Sequence, residues 1–246
     1  MARARCVAAL GLLVVPFGCS RPVVTEDKVK ADLVGQELQL RVAELPAPAL
    51  FRVKMVKGLT VTKRMTAKKE GADSVFATTQ LEGGEDDVLT GDLRIRYKLF
   101  DQGWQLESVE PLGTWNSLRV NEAMTIRDIR TMISAQAAYQ SANRANYASS
   151  IRCLVKPSGC LEGYTNPDLP TFLSPEMEQP TRHGYTFEYD GGVAAFALVG
   201  RPVQPGISGA RTFCGDATGI IRGQRSDIRL RPGQDGSSCD PAAPPL

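Results

Sequence analysis

The sequence predicts an α+β protein of two domains behind a short targeting segment, and three observations predict it. Val88 to Phe100 alternates with period two, setting Leu93, Ile95, Tyr97 and Leu99 on one face and Asp92, Arg94, Arg96 and Lys98 on the other, the pattern of a half-buried strand. Asn116 to Ala148 carries Ile126, Ile129, Ile133 and Ala137 at three- and four-residue steps, one apolar stripe of a long helix. Composition changes between them: residues 20–115 hold eight lysines and no cysteine, whereas residues 116–246 hold one lysine and four cysteines. The expected boundaries are 1–18 for the targeting segment, 19–115 for the first domain, 116–240 for the second and 241–246 for a disordered, Pro-rich tail.

The targeting segment comes first. Arg3 and Arg5 precede an apolar run, Val7 to Phe17, that ends at Gly18-Cys19. A basic start, about ten apolar residues and a small residue before the cut make a secretory signal peptide. The run is shorter than the roughly 20 residues that span a bilayer. Gly18-Cys19-Ser20 resembles the bacterial lipobox, although Pro16 stands where that motif usually has leucine. The resemblance implies a lipid on Cys19 that tethers the chain to a membrane face without spanning it. The compartment is then the bacterial envelope, as a periplasmic or outer-membrane lipoprotein; release as a secreted protein is the alternative.

The 42% hydrophobic fraction is enough to build a core. Of the 29 basic residues two, Arg3 and Arg5, belong to the leader, so the mature chain sets 27 basic residues against 27 acidic ones. A nucleic-acid partner is excluded as the main one, because phosphate binding leaves a basic excess. A single histidine, His183, excludes a multi-histidine metal site.

In the first domain Thr25-Glu26-Asp27 caps a helix with acids at its N-terminus. Val29, Leu33 and Val34 share a face, and Gly35 ends it. Leu50 to Val56 and Leu59 to Met65 read as strands around a turn at Lys57-Gly58, and Ser74 to Leu81 as a third. Asp101-Gln102-Gly103 turns Val88–Phe100 back into Trp104, Leu106 and Ser108, and a junction is expected at Pro111 to Asn116. One helix plus a meander of four or five strands resembles a cystatin-like or nuclear-transport-factor-like α+β roll, over about 90 residues. Glu85, Asp86 and Asp87 read as a solvated hairpin tip rather than a calcium site. Lys63, Arg64, Lys68 and Lys69 read as a solvated face rather than a contact for anionic headgroups.

In the second domain the long helix is followed by a cysteine-bearing loop. Gly184 to Tyr189 alternates and meets the turn signal Asp190-Gly191-Gly192, with Val193 to Val199 as the return strand. Gly209 to Cys214 and Gly219 to Arg222 flank a second hairpin. With Cys19 lipidated, Cys153, Cys160, Cys214 and Cys239 remain, an even set that reads as two disulfides in an exported chain. Three pairings are open, and the most local, Cys153 with Cys160 and Cys214 with Cys239, is favoured. The spacings C-x6-C and C-x24-C do not match zinc sites.

Thr125-Ile-Arg-Asp-Ile-Arg-Thr-Met-Ile-Ser-Ala-Gln-Ala-Ala-Tyr139, Gly184-Tyr185-Thr186-Phe187-Glu188-Tyr189, Gly209-Ala210-Arg211-Thr212-Phe213 and Asp216-Ala217-Thr218-Gly219-Ile220-Ile221-Arg222 occur in that order. Together they resemble the globular domain of type IV pilin-like proteins and type II secretion pseudopilins, over about 110 residues. The resemblance implies a long helix packed on a three- to four-stranded antiparallel sheet, with Cys214–Cys239 fastening the C-terminal segment. No prepilin peptidase sequence precedes this helix, so the pilin-like head reads as an interaction module rather than a fibre subunit.

His183 lies at a strand entrance with no nucleophile motif beside it and reads as structural. Tyr139, Tyr185 and Phe187 read as core; Tyr139, Tyr147, Tyr185 and Tyr189 are the alternative recognition surface. Nucleophile-elbow, P-loop and dinucleotide motifs are absent from the sequence. The expectation is therefore a non-enzymatic envelope lipoprotein without cofactor or metal, binding envelope proteins in a pilus or secretion machine. An exported small-ligand binder or enzyme, with its pocket in the N-terminal roll, is the alternative.

Overall fold

The computed structural model describes residues 23–67, 70–84, 87–164, 170–225, 227–233 and 236–246. The signal peptide and Cys19 lie outside them, as do Glu85 and Asp86 of the acidic cluster and Lys68 and Lys69 of the basic run. The chain forms two units, divided between Trp115 and Asn116.

The first unit opens with helix α1, Glu26–Leu33. Thr25 caps it by accepting a hydrogen bond from the Lys28 backbone N–H at 3.2 Å. Val29 and Leu33 are buried, and Gly35 (φ 86°) takes the left-handed conformation that turns the chain out of the helix. Strands β1 (Glu37–Leu40) and β2 (Ala49–Arg52) pair antiparallel. Strands β3 (Met55–Ala67), β4 (Ala72–Glu82), β5 (Val88–Phe100) and β6 (Gly103–Ser117) then form a four-stranded meander in sequence order. The inward row Val75, Ala77, Leu81, Leu89, Leu93, Ile95 and Tyr97 is buried, as are Leu38, Leu40, Phe51 and Trp115. Trp115 lies against Gly91, where an added Cβ would sit 2.3 Å from the indole.

One local expectation changes. Lys57-Gly58 is not a turn: β3 runs through it, with a register shift between Val56 and Gly58, because a bulge absorbs one residue without reversing the strand. The units divide within Pro111 to Asn116, where β6 continues to Ser117 and hands over directly to the next helix.

The second unit begins with α2, Leu118–Ala142, whose N-terminal Val120 N–H is capped by Ser117 Oγ at 3.1 Å. The short helix α3 (Ile151–Val155) follows. A five-stranded antiparallel sheet has the order β11-β10-β9-β8-β7, from β7 (Thr181–Arg182), β8 (Tyr185–Gly191), β9 (Phe196–Pro202), β10 (Thr212–Asp216) and β11 (Ile221–Gln224). A separate ribbon pairs β12 (Leu230–Gly233) with β13 (Gly236–Cys239).

The sheet is covered on both sides. One core joins Ile129, Met132 and Tyr139 of α2 to Leu198, Phe213, Tyr185 and Phe187. A second joins Val199 and Cys214 to Ile228, Cys239 and Ala243. The continuous apolar run Phe196-Ala-Leu-Val199 suits a strand buried on both faces.

These facts overturn the α+β expectation. Among the described residues the protein is mostly β: thirteen strands in four sheets against three helices, of which α2 alone is long. The first unit, expected as a cystatin-like roll of one helix plus an antiparallel meander, is a four-stranded and a separate two-stranded sheet with a helix of only eight residues. The second is not simply a long helix packed on a three- to four-stranded pilin-like sheet, because the sheet has five strands and a β-ribbon covers its far side. The extra strands are two to four residues long, too short to carry a period that reads as strand in sequence. The residues 241–246 expected to fray are paired instead. Gly223 N–H donates to Pro244 O at 3.0 Å, Leu246 N–H donates to Ile221 O at 2.9 Å, and Ala243 is buried.

Candidate functional site

The densest polar constellation lies on the buried face of α2. Asn121, Glu122, Thr125, Asp128 and Gln136 recur at helical spacing beside Ile129, Met132 and Tyr139, and all of them are buried. A buried polar group needs a partner: Thr125 Oγ1 donates to Asn121 O at 2.9 Å within the helix, and the other four find theirs across the unit. Glu122 Oε1 accepts from the backbone N–H of Ala210 (2.9 Å) and Arg211 (3.1 Å), and its Oε2 accepts from Arg211 Nε (3.0 Å) and Nη2 (2.7 Å). Two guanidinium N–H groups thus share one carboxylate oxygen in a charge-assisted pair. Asn121 Nδ2 donates to Ser208 O at 3.0 Å. Gln136 accepts from Ala148 N–H at 2.9 Å and donates to Ala148 O at 3.2 Å and to the Tyr189 hydroxyl oxygen.

Asp128 and Arg182 form the deepest ion pair, with side chains 6% and 7% exposed and Arg182 Nε 2.9 Å from Asp128 Oδ2. The guanidinium also donates to the carbonyls of Met177 (3.1 Å) and Gln179 and lies 4.1 Å over the Phe187 ring. His183 Nε2 stands 3.5 Å from the same Asp128 oxygen, held there by a left-handed backbone (φ 51°). A carboxylate orienting an imidazole is half of a general-base arrangement. Here the oxygen is already taken by Arg182 at shorter range, so the trio ties α2 to the β7–β8 turn.

The tyrosines divide between packing and hydrogen bonding. Tyr185 is fully buried and donates to Arg211 O at 2.9 Å, Tyr189 donates to Ala148 O, and Tyr139 packs edge-on to Phe172 at 5.3 Å. Tyr147 is half-buried and meets Phe196 edge-on at 5.0 Å. Burial pushes the Tyr139, Tyr185 and Tyr189 phenols above their ordinary range. The Glu122 charge raises Tyr185 further, and the Gln136 hydrogen bond partly offsets the rise at Tyr189.

The four cysteines pair as Cys153–Cys160 and Cys214–Cys239. The second bridge joins β10 to β13, and Asp216 reinforces it: its Oδ2 accepts from Cys239 N–H at 2.9 Å while Oδ1 accepts from Thr218 N–H at 3.0 Å. Paired cysteines place the chain in an oxidising, extracytoplasmic compartment. Among the described residues no helix is long and apolar enough to cross a membrane, and no group of three or more His, Cys, Asp or Glu is placed to hold a metal ion. Arg64 of the basic run is turned inward, its Nη1 donating to Val24 O at 2.6 Å, while Lys63 stays exposed.

Sequence reading missed the buried polar row of α2 and its partners Arg182 and Arg211. Its trace was present as Asn121, Thr125, Asp128 and Gln136 interrupting the apolar stripe at helical steps. No protein family, curated protein or solved structure matches the chain.

Proposed function

We propose that the chain is a non-enzymatic, lipid-anchored protein of the bacterial cell envelope that works as a protein-binding scaffold, in a pilus or secretion machine. The observation that carries the reading is the pair of disulfides, in a chain whose residues 3–19 carry the basic-then-apolar pattern of a secretory leader up to Gly18-Cys19. The state of the buried ionisable groups supports a binding role over catalysis: Glu122 and Asp128 are saturated by arginines, and all four mature cysteines other than Cys19 are oxidised. The ordered motifs from Thr125 to Arg222 support a place among proteins that work with pilin-like partners.

Metabolic labelling with a lipid precursor tests the anchor. The wild-type chain takes up label and Cys19→Ser does not; an unlabelled wild type removes the anchor. Crosslinking in intact cells tests the partner class, and recovery of no envelope protein removes the scaffold role.

A further inference from the structure

The two disulfides differ in access. Cys214 and Cys239 are both buried, and Cys239 N–H is held by the Asp216 carboxylate at 2.9 Å. Cys153 is buried too, but its partner Cys160 is exposed, as are Ser158 and Gly159 before it and Glu162 and Gly163 after it. A thiolate coming from solvent can therefore reach the Cys160 end of this bridge and not the Cys153 end. The buried sulfur has a donor of its own. Ser150 Oγ accepts from the Cys153 N–H at 3.4 Å and donates to Cys153 Sγ at 3.3 Å. A hydroxyl so placed stabilises the negative charge that collects on Cys153 as the bond breaks, which favours this sulfur as the leaving group. Glu162, two residues from Cys160, is matched by Arg144 at 2.6 Å, so its charge does little to repel an incoming thiolate.

Neither cysteine depends on the bond for its place. On one side Leu154 and Val155 sit in the α2 core, and Leu154 O accepts from the Phe172 and Leu173 N–H groups at 2.9 and 3.2 Å. On the other side Leu161 is buried in the same core, and the Cys160 and Leu161 N–H groups both donate to Pro157 O at 2.9 Å. Opened sulfurs so held stay close enough to rejoin. We propose that Cys153–Cys160 is a reversible thiol–disulfide exchange site for a dithiol, entered at Cys160. One thiolate of the dithiol attacks Cys160 Sγ, and the electron pair of the S–S bond leaves on Cys153 as a thiolate. The dithiol's second thiolate then attacks the dithiol sulfur of the mixed disulfide and expels Cys160. The dithiol is oxidised by two electrons, the bridge is reduced, and the two protons lost by the dithiol pass through water to Cys153 and Cys160. The reverse sequence closes the bridge. The site belongs to the second unit and is independent of any lipid on Cys19.

The test uses the mature chain carrying Cys19→Ser, folded and without denaturant, with dithiothreitol and reduced thioredoxin as the two dithiols. Thiols freed over time are alkylated and located by peptide mass spectrometry. Cys153 and Cys160 are expected to open at least about 100-fold faster than Cys214 and Cys239, whose exposure waits for unfolding. Removing the dithiol and adding oxidised glutathione is expected to restore the bridge. Faster opening by thioredoxin at equal thiol concentration assigns the site to a dithiol protein, and faster opening by dithiothreitol assigns it to a small dithiol. Two variants separate the sulfurs while losing the same bridge. Cys160 in Cys153→Ser is expected to react with a maleimide at least about tenfold faster than Cys153 does in Cys160→Ser. Both bridges opening together, Cys153–Cys160 opening only in urea that unfolds the unit, or equal reaction of the two single thiols overturns the proposal.

Discussion

Asp128→Ala is the sharpest probe of the polar face of α2. It removes the carboxylate that neutralises Arg182 while leaving the guanidinium 7% exposed. Breaking a buried pair by deleting one partner costs roughly 3–5 kcal/mol, because the remaining charge stays desolvated. Arg182 keeps the Met177 and Gln179 carbonyls and the Phe187 ring at 4.1 Å, which places the expected loss at the lower end, about 3 kcal/mol. The second unit runs from Asn116 to Leu246. At about 2.1 cal/mol/K per residue its unfolding entropy is near 0.28 kcal/mol/K, so the melting temperature should fall by about 11 °C. Asp128→Leu combined with Arg182→Met removes both charges and should recover most of that loss. Thermal unfolding followed by far-ultraviolet circular dichroism reads both. A single variant that melts within about 2 °C of wild type, or a double variant no better than the single, refutes the reasoning.

Three further outcomes follow from the geometry. Replacing Cys214 and Cys239 by serine opens a bridge of sequence separation 25 and should destabilise the second unit by about 3.5 kcal/mol; opening Cys153–Cys160, of separation 7, should cost about 2.4 kcal/mol, read from urea midpoints. Gly91→Val drives a side chain into Trp115, since even a Cβ would lie 2.3 Å from the indole, and should cost at least about 1–3 kcal/mol and change the near-ultraviolet signal. Tyr185 and Tyr189 hold phenol pKa values raised above 10 in the fold, so each binds its proton more tightly folded than unfolded. Their contribution is complete below pH about 10 and declines as pH rises beyond it. A denaturant titration should show stability falling above that pH, and Tyr189→Phe should flatten the fall; an unchanged slope counts against it.

How much was legible depended on how local each cause was. The Thr25 cap, Val29, Leu33 and Gly35 lie within one short stretch, and α1 follows from them. The thirteen-residue alternation of Val88–Phe100 is long enough to define β5 without help from its neighbours. The α2 stripe was displaced: Ala137 is exposed, while Asp128 and Gln136 are buried. A periodicity argument treats charged and amide side chains as outward-facing, and only partners supplied from residues 148, 182 and 211 reverse that.

By itself the sequence determined the exported character of the chain, the even cysteine set and the elements whose signals repeat over eight residues or more. The tertiary structure decided the strand-rich class, the burial of β9 and β10 on both faces, and the pairing of the tail with β11. The division has one physical reason. Strands of two to four residues, and prolines such as Pro244 and Pro245 that cannot donate a hydrogen bond, have no local preference strong enough to declare themselves. Their place is set by backbone groups such as Gly223 N–H and Ile221 O, which needed partners and found them about twenty residues away.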